Sequence, residues 1–150
     1  MLLSDSSIKE LIKVGVLESA IEENLGPVSY DLRTLEFYPK GGKATEVELM
    51  PGESVFVGSQ EIVHLPNTLT ARVMLRNSRI RQGLSLDAPL YFPGHSTRVF
   101  FRVTNVGQGG AIALDRAHGI AQLVFERVEG EVDHPYDGTF ADEFDYRDVG

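Results

Sequence analysis

The stretch Arg76-Asn77-Ser78-Arg79-Ile80-Arg81-Gln82-Gly83-Leu84 gathers guanidinium groups and a hydroxyl within a few residues of one another. Phosphate oxygens need several donors at fixed spacing, and the planar arginine fork donates in pairs. A strand that delivers Arg76, a turn that places Ser78 and a return that carries Arg81 would make an anion-binding set. Gly83 permits a backbone angle that other residues avoid. The bland alternative is a solvated basic turn. Asp87 is the one acid near this set, able to serve as a general base or to hold Mg²⁺ through water, or else an ordinary strand-edge acid. His95 titrates in the neutral range, and a lone surface histidine is the expected outcome for it. Asp133-His134 and the acids after it read as solvated side chains, so no metal site is expected. Gly107-Gln108-Gly109-Gly110 lacks the lysine and the strand–helix setting of a phosphate-binding loop.

Charge is distributed as those motifs require. The 150 residues carry a formal net charge of −8, which argues against a general nucleic-acid binder. Between Thr68 and Asn105, however, Arg72, Arg76, Arg79, Arg81, Arg98 and Arg102 face a single acid, Asp87. From Glu129 to Gly150 eight acids face only Arg147. An acidic chain with its arginines gathered in the middle uses them on a small anion or on a contact between copies. The absence of cysteine excludes a disulfide framework, a zinc–thiolate site and a cysteine nucleophile. No apolar run approaches a membrane span, and Met1-Leu2-Leu3-Ser4-Asp5 is no secretion signal, so a cytoplasmic location without membrane contact is expected.

The elements that must position these residues are mostly strands. The length suits one domain spanning residues 1–150, with 129–150 as an acidic tail that is mobile until something orders it. Ser7-Ile8-Lys9-Glu10 reads as a capping box for one short N-terminal helix that Gly15 ends, with a second helical turn around Leu17–Leu25. Beyond Gly26-Pro27 the pattern predicts strands at Val28–Arg33, Leu35–Tyr38, Thr45–Met50, Ser54–Val57, Glu61–Leu65, Leu69–Arg76, Leu84–Tyr91, Thr97–Asn105, Ala111–Leu114 and Ile120–Arg127. Many short strands at this spacing mean an all-β sandwich or barrel. Alternation puts Val99, Phe101 and Val103 on a core face, with Arg98 and Arg102 opposite. It likewise opposes Ala71, Val73 and Leu75 to Arg72 and Arg76. Were the two strands neighbours, their polar faces would form a cationic wall.

Taken in order, the motifs resemble a known family. Arg76-Asn77-Ser78-Arg79-Ile80-Arg81-Gln82-Gly83 is similar to the Arg-Ser-Ser-x-x-Arg-x-Gly motif of the dCTP deaminases, homologues of the trimeric dUTPases. Leu3-Ser4-Asp5, Ser29-Tyr30-Asp31-Leu32-Arg33, Met50-Pro51-Gly52-Glu53, Glu61-Ile62-Val63-His64-Leu65-Pro66, Pro93-Gly94 with Asn105, and Ile120-Ala121-Gln122-Leu123-Val124-Phe125 follow in the family's order. The resemblance implies a β-clip or distorted jelly-roll fold, a homotrimer with active sites between subunits, and a deoxypyrimidine triphosphate (dCTP or dUTP) bound with Mg²⁺. By position it assigns Arg76, Ser78 and Arg81 to phosphate or to the catalytic water, assigns Gln122 to the nucleotide site, and makes Asp31 a buried acceptor.

The departures fall on the chemistry. The family's deaminases carry on the strand after the Pro-Gly turn a glutamate that shuttles protons; that position here is Arg102, and a guanidinium cannot take up a proton. The dUTPases use an aspartate just before the turn, where this chain has Phe92. Asn77 replaces the first serine of the motif. Thr139 and Ala141 stand where the tail usually offers a lysine and a glutamine. Asp87 is the remaining candidate base. Three readings follow: a divergent hydrolase or deaminase, a silent binder of a nucleotide or partner, and a structural trimeric module.

Overall fold

A computed structural model describes residues 1–149. The helix α1, Asp5–Lys13, starts earlier than the capping-box reading placed it. Ser4 rather than Ser7 is the N-cap, its Oγ accepting from the Ser7 amide at 3.4 Å. Ile8 is fully buried on its inner face. The second helical turn predicted around Leu17–Leu25 is a short 3₁₀ turn at Glu22–Asn24, flanked by two short strands, β1 (Leu17–Glu18) and β2 (Leu25–Gly26). The rest are β3 (Ser29–Asp31), β4 (Thr34–Tyr38), β5 (Glu46–Leu49), β6 (Ser54–His64), β7 (Leu69–Leu75), α2 (Asn77–Gln82), β8 (Leu84–Asp87), β9 (Ser96–Asn105), β10 (Ile112–Asp115) and β11 (Ala121–Arg127).

These strands form one sheet in the order β1-β6-β9-β8 with β4 also on β6, a second in the order β2-β3-β11-β7, and a ribbon of β5 with β10. The core lies between them, with Tyr30, Phe37, Phe101, Leu123 and Phe125 buried. As predicted, Val99, Phe101 and Val103 face it from β9, and Ala71, Val73 and Leu75 from β7. β7 and β9 are not neighbours, because β7 pairs with β11 and β9 with β6 and β8. The cationic wall therefore does not form. Arg72 pairs with Glu126, whereas Arg98 donates to the backbone carbonyls of Gln60 at 2.8 Å and Phe144 at 2.9 Å.

The strands predicted at Ser54–Val57 and Glu61–Leu65 are one strand, β6, irregular between Gly58 and Ile62. That irregularity turns Glu61 inward. Its carboxylate accepts from the Tyr30 hydroxyl at 2.7 Å, the Arg33 amide at 3.0 Å and the Arg33 Nε at 2.9 Å. Burial, with Glu61 as acceptor beside it, drives the Tyr30 phenol well above its ordinary value. A buried carboxylate is tolerated because a cation and two further donors surround it. The network ties β3 to β6, and so one sheet to the other.

The predicted strand Leu84–Tyr91 stops at Asp87, after which the chain leaves β9 and Tyr91 bridges Ala71. From Pro93-Gly94 it returns into β9. The acidic tail lies along the start of that strand. The Tyr136 amide donates to the Pro93 carbonyl at 2.8 Å, Ser96 to Ala141 at 2.7 Å and Arg98 to Glu143 at 2.9 Å. Gly94 makes this approach possible. It has φ +102°, and a Cβ there would lie 2.6 Å from the Tyr136 carbonyl oxygen. No helix among the described residues is long and apolar enough to cross a membrane.

Candidate functional site

The basic motif is a helix rather than a turn. Arg76 follows β7 directly and is the extended N-cap residue of α2, and Gly83 closes the helix at φ +104°. Ser78 and Arg76 open onto a polar groove of about 690 Å³, together with Arg79, Asp115 and His118. The Arg76 guanidinium rests on the bare Cα of Gly119, where a Cβ would come within 2.6 Å of Nη1. Its Nε stands 4.0 Å from Asp31 Oδ2. Asp31 is thus a half-exposed partner of Arg76 and not the buried acceptor expected of it. On its other flank Arg76 borders a second polar groove, which Asp31, Arg33, Gln60 and Arg116 also line.

Arg79, only a member of the cation count in the sequence, is the brace of this site. It is 7% exposed and donates to the Gly119 carbonyl at 3.1 Å, to His118 O at 3.4 Å and to Gln82 Oε1 at 2.9 Å. Burial pulls its guanidinium below the ordinary value, while the charge of Asp115 opposes that and the charge of Arg76 adds to it. The side chain locks the loop between β10 and β11 onto α2.

The other predicted residues do not all converge. Arg81 is exposed, donates from Nε to Asn77 Oδ1 at 3.0 Å and does not line the Arg76 groove. Gln122 sits on β11 between Asp31 of β3 and Met74 of β7, its amide donating to the Leu75 carbonyl at 3.4 Å. Asp87 is engaged by Arg102 directly across the β8–β9 pair, Oδ2 to Nη2 at 2.9 Å, and both side chains are well exposed. The candidate base is thus already paired with a guanidinium. Among the described residues no group of three His, Asp or Glu side chains is placed to hold a metal ion.

Phe92 marks a different place. With His95, Phe100, Tyr136, Glu143 and Tyr146 it lines an apolar cleft of about 320 Å³ roofed by the tail. His95, expected at the surface, is 5% exposed and stacks on Tyr136 with ring centroids 4.5 Å apart. Its Nδ1 accepts from the Phe92 amide at 2.7 Å, and burial pulls the imidazole below its ordinary value. Glu143 is also buried; its Oε2 accepts from the Arg147 amide at 2.7 Å, and burial pushes the carboxyl up. Tyr146 stacks on Tyr38 at 4.7 Å. Thr139 and Ala141 act here through their carbonyls, which accept from Arg147 Nη1 at 2.7 Å and from the Ser96 amide. Sequence reasoning missed Asp115 and His118, although an Asp-x-x-His spacing at a strand end would have pointed to them. It also missed the cleft, whose residues are scattered along the chain.

A family model for dCTP deaminase-like domains matches residues 36–128. The chain belongs to that dCTP deaminase-like family. It is 28% identical over 146 residues to the dCTP deaminase of Pyrococcus horikoshii, covering 93% of this chain and 91% of that one. It is 32% identical over 98 residues to the dCTP deaminase of Sulfurisphaera tokodaii, covering 65% of this chain and 52% of that one. The chain thus spans about half the length of the second relative. Among solved structures, the dCTP deaminase of Agrobacterium tumefaciens superposes with a TM-score of 0.71 at 17% identity, over 85% of this chain and 49% of that one. The EIAV dUTPase does so with a TM-score of 0.54 at 15% identity, over 74% and 96%. Such low identity speaks for the fold alone, and that fold is the β-clip, distorted jelly-roll arrangement of the dCTP deaminases and dUTPases.

Proposed function

We propose that this dCTP deaminase-like chain binds the triphosphate of a deoxypyrimidine nucleotide in the Arg76 groove, at a site between the copies of a homotrimer. The observation that carries the reading is that Arg76 and Ser78 open onto one polar groove while Arg79 braces its wall from behind. Preorganised donors of this kind suit phosphate oxygens. Relatives named dCTP deaminases and neighbours named dUTPases make cytosine or uracil the expected base. Arg81 does not line its own chain's groove and is exposed for the site of an adjoining copy. The coordination of a structural Mg(II) ion is described for the phage phi11 dUTPase. Here Mg²⁺ would arrive on the triphosphate, since among the described residues no ready-made ligand cluster is found.

Deamination needs a proton shuttle at the ring. The resemblance puts that shuttle at residue 102, where a guanidinium is bound to Asp87 instead. Splitting the triphosphate is the chemistry that the remaining groups can serve. The Asp87–Arg102 pair also favours a second reading, in which the nucleotide is held without being turned over.

Calorimetric titration with dCTP, dUTP and dTTP in Mg²⁺, followed by product analysis, tests both. Saturable binding is expected, weakened about tenfold to a hundredfold by Arg76→Ala, the range for a lost hydrogen bond to a charged group. Failure of every nucleotide to bind would overturn the proposal. Binding without any product would select the silent reading.

A further inference from the structure

We infer that Asp115 and His118 are the proton-transfer pair of the Arg76 groove, acting on a phosphoanhydride held there. This inference rests on the proposed triphosphate site and supplies the base that β9 lacks. His118 Nδ1 lies 2.8 Å from Asp115 Oδ1, and the same oxygen accepts the Ala117 amide at 2.9 Å and the His118 amide at 3.1 Å. A carboxylate accepting at Nδ1 fixes the proton on that nitrogen and leaves Nε2 as the acceptor. The imidazole is 74% exposed on its side chain and borders the groove, so water reaches it. The hydrogen bond from His118 holds the Asp115 carboxyl below its ordinary value, with the backbone amides assisting.

Placement distinguishes this pair from an ordinary surface turn. Arg79 grips the carbonyls of both His118 and Gly119, which fixes the loop to the helix that carries Ser78. The Arg76 guanidinium packs on Gly119, the residue next to His118. A phosphate bound by Arg76 and Ser78 would therefore occupy the groove that the imidazole also borders. The charged groups that line the groove with it are Asp115 from β10, Arg76 from between β7 and α2, and Arg79 from α2, while Arg116 and Asp31 line the adjoining groove.

In the step, a water oxygen forms a bond to phosphorus and the bond from phosphorus to the leaving phosphate oxygen breaks. The water's proton passes to His118 Nε2; Mg²⁺ arriving with the nucleotide substrate would offset the charge on the leaving group. A nucleoside triphosphate and water become a nucleoside monophosphate and pyrophosphate, with no oxidant or reductant involved.

The test uses the full chain with dCTP or dUTP and Mg²⁺. His118→Gln is expected to lower kcat by about a hundredfold or more, the usual weight of a general base, with the dissociation constant nearly unchanged. Asp115→Asn is expected to lower kcat less and to move the acidic limb of the pH profile. As a readout independent of turnover, inorganic pyrophosphate is expected to raise the titration midpoint of the His118 imidazole, followed by NMR, because a nearby anion favours the charged form. Arg76→Ala should abolish that rise. Turnover of His118→Gln close to that of the parent chain, or an imidazole midpoint indifferent to pyrophosphate, overturns the inference. So does a parent chain that binds nucleotide and releases no product, an outcome that leaves the triphosphate site standing. A parent chain that binds no nucleotide overturns the site itself.

Discussion

At the scale of single residues, the site depends on how closely one guanidinium approaches one glycine. A methyl group at position 119 would meet Arg76 Nη1 at 2.6 Å. The obstructed atom is the far end of a flexible side chain, so Gly119→Ala should displace Arg76 and cost little stability. Nucleotide affinity should fall about tenfold, with the urea midpoint shifted only slightly. Glu61→Ala should behave in the opposite way. Removing this fully buried carboxylate strands the Arg33 guanidinium and the Tyr30 hydroxyl. A loss of about 3–5 kcal/mol in urea unfolding is expected for a broken buried pair. That Arg76 and Ser78 lie close together was legible in the sequence, because donor-rich spacing is a local property. Where Arg81 lies was not legible, for an equally physical reason. A turn would have returned it to the groove, whereas the helix at 77–82 carries it aside and gives it Asn77 as a partner.

At the scale of elements, periodicity located most strands, because alternation records which side chain meets the core. It did not reveal the partners. Nothing in the residues of β7 and β9 says that they join different sheets, and the expected cationic wall failed on that point. Nor did it show that the tail lies against β9, since the contacts are backbone hydrogen bonds and stacked rings with no repeat to read. The tail should be sensitive to pH. Burial holds His95 below its ordinary 6.5, so the unfolded chain takes up this proton first. Its contribution is complete above pH 6.5 and declines as the pH falls below it. Glu143 has the opposite sign. Its folded value lies above 4.5, so its contribution is complete below that pH and is lost as the pH rises. Thermal unfolding should therefore show stability falling as the pH drops below 6.5, with His95→Phe removing that slope. An identical slope in the variant would mean that His95 does not report on the fold. Gly94→Ala gives a second handle. Its Cβ would strike the Tyr136 backbone and strain a positive φ, so the tail should become open to limited proteolysis.

At the scale of the whole molecule, the same alternation that builds the core leaves one sheet with a face that water covers poorly. On β7 the inward residues Val73 and Leu75 are buried, while Met74 between them stays 50% exposed beside Gln122. Ile80 on α2 is 56% exposed and Leu2, bridged to β11, is 51% exposed. Large apolar side chains left exposed are what a contact between copies would cover. Met74 and Ile80 lie close in the chain to Arg76 and Arg81, so a contact over them would bring the arginines of one copy toward the groove of the next. Light scattering after size exclusion should give three times the 16.6 kDa chain mass at micromolar concentration. Met74→Lys would bury an ammonium in that contact and should shift the mass toward one chain, because an unpaired buried charge is not tolerated. The groove of each chain keeps Arg76 and Ser78 in either state. If the variant loses nucleotide affinity together with its oligomeric state, residues of an adjoining copy complete the site. If it becomes a single chain and binds as the parent does, the groove suffices by itself and the inter-subunit site falls. A single-chain mass for the parent protein would remove the homotrimer while leaving the Arg76 groove to be tested on its own.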